Sequence, residues 1–230
     1  DLVRRLAVTR SVRDTAGVLD VLHGHAPGDP YGCPAPSRAF ADEVGAEPGR
    51  LRIGVMTDAA DPDVVTDATC RAATEETAAL LESLGHDVVA ADPTLFADPD
   101  LTTELTGHFL NAFGAWTAAE IDHLVARCGA PIEDGDFEPN TLAIADIGRT
   151  VSATQYLAAE DFFNAFTRRL AAWWAGGHDL LLTPTIPELP PRLGAFDALP
   201  DNPMNGMVRS SPIVQFTVPF NITGQPAISV

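Results

Sequence analysis

Lysine is missing from this sequence altogether: all 14 basic side chains among its 230 residues are arginine. A Walker-type phosphate loop is thereby excluded, since that loop needs its Lys. So are Schiff-base and pyridoxal phosphate chemistry and any Lys general base. Positive charge is scarce in general. The 14 cations face 32 carboxylates, for a net charge of −18. That balance argues against nucleic acid or an anionic membrane as a partner, because both are bound through clustered cations. No apolar run approaches the roughly 20 residues that span a bilayer. Cysteine is sparse too: Cys33, Cys70 and Cys128 are odd in number, far apart and without a C-x-x-C pair. The pattern fits free thiols in a reducing compartment, the cytoplasm, better than a disulfide framework.

Local catalytic signatures are also lacking. There is no G-x-S-x-G elbow and no G-x-G-x-x-G after a strand. His23 and His25 flank Gly24, a spacing that points them apart on a helix, and a metal site there is not expected. Asp58, Asp61 and Asp63 resemble the start of a calcium loop, but the Gly and terminal Glu of that loop are not where its register needs them. No metal and no organic cofactor are expected.

What is present reads as α/β. Ser11 caps a predicted helix over 12–22, with Asp14 at its third position and Gly24 at its exit. Leu51 to Val55 reads as a strand. A helix over 62–84 is expected to bury Val65, Ala68, Ala72, Leu80 and Leu84 and to turn Asp67, Arg71 and Glu75 to solvent. After Gly85, His86 to Ala90 reads as a second strand. Strand, amphipathic helix and strand at this length predict a parallel βαβ unit. Helices follow over 102–127, 138–150 and 153–174. In the last, Ser152 and Gln155 form a capping box, and Ala159, Phe162, Phe166, Leu170 and Trp173 form the buried stripe. Asp179 to Leu182 is a short strand stopped by Pro184. A Pro-rich loop runs on to about Met207, and loops of that length commonly line a site. Phe216 to Val230 is expected to carry a turn at 221–224 and a final strand.

Four ordered stretches resemble the amidase signature family. They are Thr9-Arg10-Ser11-Val12-Arg13-Asp14-Thr15-Ala16, the unit from Leu51-Arg52-Ile53-Gly54 to Leu84-Gly85-His86-Asp87-Val88, Asp179-Leu180-Leu181-Leu182-Thr183-Pro184-Thr185, and Phe220-Asn221-Ile222-Thr223-Gly224-Gln225-Pro226-Ala227-Ile228-Ser229. Each is weak alone; their order is fairly specific. The resemblance implies a three-layer α/β/α sandwich around a mixed sheet, of which these residues form one part, 1–230. It implies hydrolysis of small-molecule carboxylic amides without a cofactor. In that family a Lys, its charge suppressed by burial, draws a proton through a bridging Ser from a nucleophilic Ser, and backbone N–H groups hold the oxyanion.

This sequence departs from that pattern where the chemistry lies. It has no Lys, and none of its Ser residues sits in a Gly/Ser-rich segment. No catalytic residue is therefore assigned, and the chain is expected to be the carboxy-terminal part of an amidase, inactive alone. The resemblance implies pocket wall at Thr185, Ile186 and Pro187, after the T-P-T motif, and at Asn221. A truncated family sheet has open edges, so a homodimer or the missing amino-terminal half is the expected partner. The alternative is a non-catalytic α/β interaction module that pairs with another chain.

Overall fold

The computed structural model describes all residues except 1, 3, 4, 30, 31 and 92–98, and the side chains of 99–102. Two units result: Val3–Arg50, and Leu51–Val230 together with the first two residues.

In the first unit, α1 spans Val12–Leu22, and the Ser11 side chain accepts from Asp14 N at its start. Thr9 Oγ1 lies 2.7 Å from Thr15 Oγ1 and donates to Ser11 O at 3.0 Å. The Thr and Ser of the T-R-S-V motif thus build a helix start, not a nucleophile. Asp20, farther along α1, accepts from Phe40 N at 2.6 Å and Ala41 N at 3.0 Å. It holds the short 3-10 turn Phe40–Glu43 against its own helix.

The second unit is built on β1 (Arg52–Val55), α2 (Ala68–Ser83) and β2 (Asp87–Ala90). The remaining elements are α3 (Pro99–Cys128), α4 (Pro139–Thr150), α5 (Ala153–Ala175), β3 (Leu180–Leu182), α6 (Asn205–Ser210) and α7 (Val218–Thr223). Strand order is β2-β1-β3, with both pairings parallel. The βαβ reading is borne out, and the α/β class with it. The three strands among the described residues are all parallel, without the antiparallel member of a mixed sheet.

The central strand is enclosed: Ile53 is 1% exposed. Gly54 lies against the Trp173 ring of α5, where a Cβ would come within 2.7 Å of the indole. The main core gathers Met56 at the end of β1, Ala112 of α3, Ala159, Phe163, Phe166 and Leu170 of α5, and Ile222 of α7. The Ser152–Gln155 capping box is present, and Ala159, Phe166 and Leu170 of its predicted stripe are buried.

Two expectations are corrected. Helix α2 begins at Ala68, not 62. Residues before it form a turn in which Asp61 accepts from Val64 N and Asp63 N, and Asp67 then caps the helix through Thr69 N at 2.7 Å. Its inward face is Cys70, Thr74, Thr77 and Leu81, whereas Val65, Leu80 and Leu84 are 85%, 58% and 66% exposed. The late start leaves Val65 outside the helix, and the face that packs inward lies on the other side from Leu80 and Leu84, around Thr74, whose hydroxyl is satisfied by Cys70 O at 3.0 Å. The final strand is also absent: α7 occupies Val218–Thr223, with Pro219 in its first turn and Gly224 closing it at φ 71°. Pro is tolerated there because the first-turn N–H groups have no helical partner. Residues 225–230 are irregular.

The Asp67 carboxylate is held below its ordinary range, first by the Thr69 backbone N–H and then by the Thr69 hydroxyl. A depressed carboxylate lends stability above its unfolded value and loses it as pH falls through its folded value. Asp67→Asn keeps a capping oxygen but removes this dependence. The wild-type advantage over D67N in urea midpoint is expected to be larger at about pH 6 than at about pH 3. An equal advantage at both would overturn the assignment.

Candidate functional site

The segment expected to line a cleft follows directly from β3. Parallel pairing with β1 carries the chain to Leu182, whose carbonyl accepts from Met56 N at 3.0 Å. The buried Pro184 then ends the ladder, and Thr183 turns its hydroxyl onto the Pro184 carbonyl at 2.9 Å. The motif residues around the strands have structural duties. The Asp179 carboxylate accepts from Arg52 N at 2.7 Å, and His86 Nδ1 accepts from Leu51 N at 3.2 Å. Each satisfies a backbone donor at the entry of β1, where the ladder has no partner yet.

Of the nominated wall residues, Thr185 is exposed and donates to Ser229 Oγ at 3.1 Å. The tertiary fold therefore joins two stretches of the resemblance that stand 44 residues apart. Ile186 is half-buried. Pro187 is buried, and its carbonyl accepts from Asp67 N at 2.7 Å, which seats the loop on the start of α2. Asn221 is half-buried in α7, with its backbone N–H on Thr217 O at 3.2 Å. Sequence reasoning missed two residues of this region, Glu188 and Arg209. They pair at 2.6 Å across 21 residues that run through the loop into α6, a separation that no periodicity signals.

A shallow depression of about 340 Å³ lies where α3, α4 and α6 meet, lined among others by Phe113, Asn140, Ile144 and Met207. None of the nominated residues lines it.

Four of the chain's serine hydroxyls have structural partners. The hydroxyls of Ser83 and Ser210 donate to Leu80 O and Met207 O, and those of Ser11 and Ser152 cap α1 and α5. Burial, with the Asp67 and Glu188 carboxylates close by, pushes the Cys70 thiol up. That is opposite to what a reactive thiolate needs. Asp58 is taken by Arg71, which also donates to Thr57 Oγ1 at 2.7 Å. Among the described residues no group of three or more His, Cys, Asp or Glu side chains could hold a metal ion. Nor, among them, is any helix long and apolar enough to cross a membrane.

A small parallel sheet flanked by long helices, with a proline-rich loop leaving the end of β3, defines a helix-rich α/β scaffold. The Amidase family model matches residues 7–230, and the chain belongs to that family. It is 34% identical over 226 residues to a 6-aminohexanoate-cyclic-dimer hydrolase of Pseudomonas sp. (strain NK87), covering 96% of this chain and 45% of that enzyme. The solved structure of 6-aminohexanoate cyclic dimer hydrolase complexed with substrate superposes with a TM-score of 0.85 at 32% identity, over 94% of this chain and 45% of the other. A bacterial aryl acylamidase of the amidase signature family shares the fold, with a TM-score of 0.73 at 20% identity and coverage of 94% and 44%. The chain thus spans about half the length of the curated relatives it matches.

Proposed function

We propose that these 230 residues are one segment, the carboxy-terminal part, of an amidase domain that hydrolyses the C–N bond of small-molecule carboxylic amides through an acyl-enzyme. The segment supplies scaffold and part of the substrate cleft. The nucleophilic Ser, the bridging Ser and the Lys lie outside it, and it is inactive alone. One observation carries this reading: an amidase family match over residues 7–230 in a sequence with no Lys. A Ser–Ser–Lys mechanism needs a neutral amine to accept the nucleophile's proton, and an arginine, always protonated, cannot take that role.

Thr185, Ile186, Pro187 and Asn221 are the wall residues we assign to the cleft. The bond from Thr185 to Ser229 supports a common surface for two of the motif stretches. Strands β2 and β3 form the two edges of the described sheet, and unpaired edges seek a partner. The amino-terminal half of the amidase, or a second copy of this chain, is the partner we propose. Three unpaired thiols support a cytoplasmic setting. Given the relatives, the first substrate to offer the complete enzyme is a cyclic amide of the 6-aminohexanoate dimer type.

Incubation of the purified chain with a serine-directed fluorophosphonate tests the assignment. No covalent mass increase is expected. Labelling of the isolated 230 residues would sink the inactivity claim, and an upstream coding sequence without a Lys-containing, Gly/Ser-rich stretch would sink the amidase reading.

A further inference from the structure

The chain between β3 and α6 is long and almost free of regular structure, yet it is pinned at several points. Near its start, Thr185 is bonded to Ser229 and the Pro187 carbonyl to Asp67 N. The next residue, Glu188, receives Arg209 Nη2 at 2.6 Å. The same guanidinium lies over the Phe196 ring, 5.7 Å from its centroid. One residue of α6 therefore grips the loop at two places eight residues apart. Asn205, one turn earlier, donates to the carbonyls of Asp197 at 2.8 Å and Ala195 at 3.3 Å. Gly206 brings the helix so close that a Cβ would come within 2.8 Å of the Phe196 carbonyl.

We propose that Arg209 is a positioning residue that sets Thr185–Ile186–Pro187 for substrate by holding Glu188 and Phe196 at once; this rests on the reading of that segment as cleft wall. The chemistry requires an arginine. A planar guanidinium donates along its edge to a carboxylate while its face stacks on an aromatic ring, and an ammonium cannot do both with fixed geometry. The pair is 34% and 33% exposed, so water screens it less than a fully exposed ion pair. Glu188 immediately follows Pro187, and the Pro187 carbonyl is committed to α2, so displacing Glu188 strains the wall segment directly. Glu188 and Asp67 each lie close enough to act on the Cys70 thiol, so the Arg209 guanidinium also offsets one of the negative charges on this side of the loop.

Two measurements test this. Trypsin has a site in the loop at Arg192, followed by the fully exposed Leu193, and a helical reference at the exposed Arg168 in the middle of α5. In the 230-residue chain, Arg209→Ala is expected to speed the cut after Arg192 by about tenfold, as for loss of local protection, with the cut after Arg168 unchanged. Arg209→Lys is expected to fall between Ala and wild type, and Glu188→Gln to follow Ala. In the complete amidase, R209A is expected to raise KM by about five- to tenfold while kcat stays within about twofold, the pattern of lost binding without lost chemistry. An unchanged Arg192 cut, or full rescue by Lys, overturns the positioning role. If Ile186→Ala raises KM and R209A does not, the wall stands and Arg209 has no part in it. If neither moves KM, the cleft-wall reading itself has failed.

Discussion

Gly148→Ala is expected to lower the unfolding free energy by about 3 kcal/mol, the cost of forcing an extra methyl group into a contact that cannot relax. Helices α3 and α4 touch backbone to backbone here. A Cβ on Gly148 would overlap the Gly114 carbonyl and come within 2.7 Å of Ala115 N. These are main-chain atoms inside a helix, so neither can swing away as a side chain would. The reverse substitution is predicted to be much milder. A Cβ on Gly114 would meet Gly148 N at 3.0 Å and the Ile144 carbonyl at 3.1 Å, which a shift of a few tenths of an ångström relieves. Gly107 provides the control. It lies in α3 with nothing within 4 Å of its would-be Cβ, so Ala there is expected to stabilise by about 0.5–1 kcal/mol through helix propensity and a less flexible unfolded chain. Urea midpoints of the three variants decide the matter. Equal losses for G148A and G114A would remove the backbone contact as the cause.

Leu170→Ala is the second large effect, at about 3 kcal/mol within the usual range of roughly 2–5 for an enclosed leucine. Leu170 is 1% exposed and belongs to the cluster in which α5 meets α3 and α7. Truncation there removes transfer energy and leaves a cavity between elements that cannot collapse independently. Leu157, on the same helix but 60% exposed, is expected to tolerate Ala within about 0.5 kcal/mol. The comparison holds helix and substitution constant, so only burial differs. A loss at position 170 no larger than at position 157 would show that α5 does not organise the core.

Where local chemistry and tertiary packing agree, the elements were legible in advance. Ser11, Ser152 and Gln155 announce helix starts because a cap is a contact between residues three apart. The pairing of β1 with β2 follows from the length between them, since a parallel pair needs a crossover. In helix α2 periodicity points to the wrong face, because Val65, Leu80 and Leu84 fall on an apolar stripe that the fold leaves exposed. The side that faces inward is instead polar at Thr74, which is buried because its hydroxyl bonds the Cys70 carbonyl at 3.0 Å. Periodicity counts apolar side chains and is blind to a polar group satisfied by its own helix. The last segment misled for a similar reason. Its β-like composition has no ladder to join, and Pro219 and Gly224 mark the ends of a short helix equally well.

The sequence by itself determined the class of this protein and the limits of its chemistry. An α/β order of elements, four ordered family stretches and a complete lack of lysine are one-dimensional facts, and the last excludes a lysine base within these 230 residues whatever the fold. Only the tertiary structure decided which residues hold the candidate wall. Arg209 reaches Glu188 and Phe196, Asp67 reaches Pro187, and Thr185 reaches Ser229. These partners are brought together by the docking of α6, the start of α2 and the final segment on one loop. Such contacts depend on distances in space, and no spacing along the chain encodes them.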